Sequence, residues 1–80
     1  MSSHIVAYEL AGRTMWAKVS APSPQEILEV APEVDVHDVP PVYMTDEAIR
    51  FVEQEPEMAV DQGLVDRIVD RWVGIEQRAS

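Results

Sequence analysis

The stretch that decides the fold is Asp61–Ser80, DQGLVDRIVDRWVGIEQRAS. Placed on a wheel at 100° per residue, Leu64, Val65, Ile68, Val69, Trp72, Val73 and Ile75 fall in one half circle, interrupted by Glu76. Asp66, Arg67, Asp70, Arg71, Gln77 and Arg78 fill the other half. The pattern predicts a terminal helix over 61–78 with one dry and one wet face. A helix of that length is marginal alone in water, so its apolar half must pack on the rest of the chain.

What precedes it supplies a surface to pack on. Residues 4–20 read as a β-hairpin, with Gly12-Arg13 as a two-residue turn. That register sets Leu10 opposite Met15, Tyr8 opposite Ala17 and Val6 opposite Val19. One face is then apolar throughout, and the other holds Ile5, Ala7, Glu9, Thr14, Trp16 and Lys18. A one-residue slip would scatter the apolar set. On this reading Trp16 lies on the face away from the main core, partly exposed. Exposed Trp is typical of interface hot spots, while cover from a neighbouring strand or helix is the other reading.

Ser23-Pro24-Gln25-Glu26 predicts a helix start, Ser23 capping and Glu26 closing a capping box. The short helix spans 24–31 and stops at Pro32. Residues 33–39 alternate, Val34 and Val36 against Glu33, Asp35 and His37, and predict a third strand ended by Pro40-Pro41. Thr45 caps a helix over 46–54, with Asp46 and Glu47 in its first turn and Pro56 beyond its end. The expected fold is α+β: one small domain of order ββαβαα, a three-stranded, mostly antiparallel sheet packed by helices. The third strand is favoured beside the first, with a parallel position beside the second as the alternative.

Composition narrows function mainly by exclusion. Eighty residues make one domain of thin stability margin. There is no cysteine, hence no disulfide or thiolate metal site, and a reducing, cytoplasmic setting is expected. No signal peptide and no membrane-spanning run is read from the sequence. Asp35, His37 and Asp38 cluster, with His4 the other histidine, but no further ligand set completes a metal site. A solvated acidic strand face is the favoured reading, and no cofactor is expected. Ser23 and Thr45 have caps to make and lack a nucleophile-elbow context. The three glycines are too scattered for a phosphate-cradling loop. The aromatics are not interleaved with bases, so direct nucleic-acid binding is not expected. An enzyme is not expected either.

The informative feature is charge. The net charge is −9. From Ser20 to Asp61, eleven acids face Arg50 alone, a segment charge of −10, while the ends are nearly balanced. Such a chain repels nucleic acid and anionic membrane and attracts a basic protein surface. Glu53, Glu55 and Glu57 crowd the end of the second helix, where the dipole prefers cations. The expected contact residues are therefore Glu47, Glu53, Glu55, Glu57 and Asp61, with Trp16 as an apolar anchor.

In size, in the run of acids from Glu26 to Asp61 and in lacking a catalytic signature, the chain resembles small phage-encoded acidic inhibitors of the anti-CRISPR and DNA-mimic type. The resemblance is compositional and carries over no residues. It implies a protein partner with a basic, nucleic-acid-binding surface, such as a CRISPR surveillance complex, with DNA loading blocked and no catalysis. The other expected class is an antitoxin, immunity protein or accessory subunit that binds through an apolar patch near Trp16 or Val73.

Overall fold

The computed structural model describes residues 2–79. Its elements are β1 Ser2–Leu10, β2 Arg13–Ala21, α1 Pro24–Val30, β3 Asp35–His37, α2 Asp46–Gln54, β4 Met58–Ala59 and α3 Leu64–Ala79. The sheet order is β3-β1-β2-β4. β1 pairs antiparallel with β2 and β3, and β2 pairs parallel with β4. The domain is α+β, as the sequence predicts, but its sheet is four-stranded and mixed rather than three-stranded. β3 lies beside β1, the favoured placement. β4 is two residues long, too short to show any alternation in sequence.

The hairpin register differs from the expected one by two residues. Leu10 faces Arg13, Tyr8 faces Met15 and Val6 faces Ala17. The turn is Ala11-Gly12, with φ of 54° and 78°. Positive φ at both central positions gives the I′ geometry, whose twist matches the strands. A shift of two leaves each side chain on its face, because strand periodicity is two. Val6, Met15, Ala17 and Val19 therefore share one buried face as anticipated.

The opposite face is covered too, which the alternation did not anticipate. Ala7 and Trp16 lie there, and both are buried, Trp16 to 6% exposure. A cleft shared by Ser3, Ile5 and Lys18 of that face with Met44, Ile49 and Val52 places α2 and the preceding link against it. Tyr43 and His37 rings approach Trp16 at 5.7 and 6.4 Å. The expectation of a partly exposed Trp16 is thus overturned.

α3 packs along β2. Its fully enclosed residues, Leu64, Ile68, Trp72 and Ile75, occupy an arc of about 80° at 100° per residue. Val65, Val69 and Val73 are only half-buried, so the dry stripe is narrower than the half circle read from sequence. Phe51 meets Trp72 edge to face at 6.1 Å, joining α2 to α3. Enclosing Leu64, Ile68, Ile27, Val6 and Val19 is worth about 1.5–3 kcal/mol per side chain.

The element ends show local chemistry. Thr45 Oγ1 accepts from Ala48 N at 3.1 Å and caps α2 as expected. Ser23 makes no side-chain cap bond, so the expected capping box is not formed. α1 ends at Val30, one residue early. Val34 N then bonds Ala31 O at 3.3 Å, a turn that delays β3 to Asp35. Residues 61–63 form a turn rather than the first turn of α3: Leu64 N bonds Asp61 O and Gly63 N bonds Asp61 Oδ1. Among the described residues no helix is long and apolar enough to cross a membrane.

Candidate interaction surface

α2 positions its charges by its own periodicity. Ala48 and Val52 are buried, with Ile49 and Phe51 half-buried beside them. Asp46, Glu47, Arg50, Glu53 and Gln54 make up the exposed side. Three acids thus share that side with one arginine. Asp46, Glu47, Arg50 and Glu53 form no ion pair among the described residues. These acids face water without an ion pair, and with Arg50 the exposed side of α2 still carries an excess of two negative charges.

The acids after α2 are placed differently. Glu55, 23% exposed at its side chain, pairs with Arg78 at 2.6 Å. Glu57 accepts from Ser3 Oγ at 2.6 and 2.8 Å. Asp61 pairs with Arg67 at 3.0 Å. Arg67 also donates to Ala59 O, and Arg71 to Pro56 O, each at 2.6 Å. Arg67, Arg71 and Arg78 fall within about 40° on the α3 wheel, flanking its buried arc. They clamp the Glu55–Asp61 segment along the helix and hold β4 against the sheet edge. The expected acidic edge therefore divides: Glu47 and Glu53 are free, while Glu55, Glu57 and Asp61 are engaged within the chain. Of the acids that crowd the end of α2, unfavourable for that helix alone, Glu55 is offset by Arg78. The spacing of four and seven between the arginines was the available sequence signal. Read as a solvated face, it concealed the clamp.

Trp16 is enclosed, and Tyr43 stands outside it. Tyr43 is 59% exposed, Val39 70%, and Val42 fully so. These side chains make an apolar knob on the link before α2, flanked by Asp38, Asp46 and Glu47. The sequence signal was present in Val39-Pro40-Pro41-Val42-Tyr43, an apolar run in a segment barred from strand pairing by its prolines.

The four residues considered for a metal separate. His37 Nε2 lies 3.2 Å from Tyr43 Oη, on the Trp16 face. Asp38 Oδ1 is 3.4 Å from His4 Nδ1. His4 is 5% exposed, and neither ring nitrogen has a hydrogen-bond partner. Among the described residues no group of three or more His, Asp or Glu could hold a metal ion.

Beside the knob, Ile5, Met44, Ile49 and Val52 help enclose a cleft of about 230 Å³. Asp38, Glu53 and Lys18 supply its charged lining. The arrangement offers exposed carboxylates on α2, exposed apolar side chains on the link before it, and a small recess lined by residues of both. Comparison with protein-family models, curated proteins and solved structures yields no match.

Proposed function

We propose that this chain is a non-enzymatic acidic interaction protein that inhibits a larger protein by occupying its basic, nucleic-acid-binding surface. One observation carries the reading. The carboxylates of Asp46, Glu47 and Glu53 are exposed and unpaired, although the same chain neutralises Glu55 and Asp61 with arginines. Charge kept free in this way steers association with a basic partner. Displacement of DNA from that partner, as by an anti-CRISPR inhibitor in the cytoplasm, is the expected consequence. Glu55, Glu57 and Asp61 act as the base of this surface, and Glu47 and Glu53 as its contacts.

The second reading is an antitoxin, immunity or accessory protein that binds through an apolar patch near Trp16. Tyr43 favours it, because its ring is exposed and lies 5.7 Å from that indole, with the exposed Val42 next to it in the chain.

The test is capture of the partner from the native lysate at low and high salt, followed by a DNA-binding assay of that partner. Release by salt and loss of DNA binding support inhibition at a basic surface. A salt-insensitive complex with DNA binding intact overturns it in favour of the apolar patch.

A further inference from the structure

We infer that the cleft between α2, the 38–44 link and the sheet is an anchor pocket for one aliphatic side chain of the partner, carried next to a lysine or arginine. The inference rests on the reading above and specifies its contact. At about 230 Å³ the cleft falls below the roughly 300–1,000 Å³ usual for small-molecule pockets. It therefore matches the scale of one side chain. Its apolar lining comes from three separate elements: Ile5 of β1, Met44 of the link, and Ile49 and Val52 of α2. Methionine is unbranched and adapts to different shapes, so Met44 lets the pocket accept Leu, Ile or Met.

Charge sets the neighbour of that side chain. Among the Asp, Glu and Lys side chains of the lining, Asp38 and Glu53 outnumber Lys18. Asp38 and Glu53 are both exposed. The unpaired Asp46 and Glu47 of the same helix extend the negative field outward. A cation beside the anchor meets carboxylates at the rim, whereas an anion there is repelled. A buried apolar anchor ringed by polar contacts is also how interface energy is usually concentrated.

The probes are two capped dipeptides, N-acetyl-Leu-Lys-amide and N-acetyl-Leu-Glu-amide, titrated to millimolar concentration into the full-length ¹⁵N-labelled chain. The Lys peptide is expected to shift the amide resonances of Ile5, Ile49, Val52 and Glu53, and to bind about two- to fivefold tighter than the Glu peptide. Glu53→Gln, an exposed change that spares the fold, is expected to reduce that preference. Shifts confined to other residues, no shifts, or equal binding of the two peptides would each overturn the inference. Failure here with salt-sensitive partner capture intact removes the pocket alone. Failure of both removes the basic partner as well.

Discussion

Arg71 donates to the backbone carbonyl of Pro56 at 2.6 Å, fifteen residues back along the chain. Through this bond and those of Arg67 and Arg78, a helix that reads in sequence as polar on its outer side holds the sheet's fourth strand in place. Two of these arginines also meet acids that precede the helix, Arg67 at Asp61 and Arg78 at Glu55.

Replacing Arg71 by Met keeps the stem and removes the donor. A hydrogen bond from a charged group contributes about 1.5–3 kcal/mol when well shielded, and less at this half-exposed site. A loss of about 1 kcal/mol is expected in a thermal melt. Faster amide exchange across 57–60 should accompany it, and unchanged exchange there would show that the clamp does not hold β4.

Trp16 and Trp72 are expected to behave alike. They are 6% and 8% exposed. Single-tryptophan variants, Trp16→Phe and Trp72→Phe, should both resist acrylamide quenching. Trp72→Ala should cost about 3–5 kcal/mol on the usual large-to-small scale, enough to unfold most of a marginal domain. Tyr43→Ala should raise quenching of Trp16 only; equal quenching before and after would mean that Tyr43 does not cover it.

The turn is open to improvement. Ala11 sits at φ 54°, where a non-glycine residue costs about 1–2 kcal/mol. Ala11→Asn creates the Asn-Gly pair preferred in I′ turns. A gain of about 0.5–1 kcal/mol in denaturant melts is expected, on the scale of relieving that strain. No gain, or a loss, would argue against the Ala11-Gly12 register.

His4 is buried, and neither ring nitrogen makes a hydrogen bond within the protein, although Asp38 Oδ1 approaches Nδ1 to 3.4 Å. Such a group costs about 1–3 kcal/mol, and an apolar replacement of similar size removes that cost. His4→Leu is expected to raise stability by about 1 kcal/mol. A loss of similar size would show that the 3.4 Å approach to Asp38 contributes to the fold.

The free and engaged carboxylates can be separated by mutation. Changing Glu47 and Glu53 to Gln should slow association with the basic partner at low salt, with stability altered by only a few tenths of a kcal/mol. Changing Glu55 and Asp61 to Gln and Asn should act mainly on stability, by up to about 1 kcal/mol each. Equal kinetic effects from the two pairs would return the later acids to the contact surface.

The sequence by itself determined what local periodicity and capping can encode. The 3.6-residue repeat placed Leu64, Ile68, Trp72 and Ile75 on one side of α3. Thr45 and Pro56 bounded α2, and alternation put Val6, Met15, Ala17 and Val19 on one sheet face. The observed register lies two residues from the expected one, and that face is the same in both, because displacement by an even number preserves the pleat. The acidity of the middle segment was equally plain from composition. Tertiary structure alone decided the rest. Cover over Trp16 comes from Tyr43 and His37, residues beyond the next helix, which no pattern within β2 can report. β4 exists through its pairing with Val19 and Ser20 and through arginines on α3, not through any propensity of Met58-Ala59. Which acids stay free was decided in the same way, since a charge is compensated by what is near it in space, and near neighbours in space are set only once helices and sheet have packed.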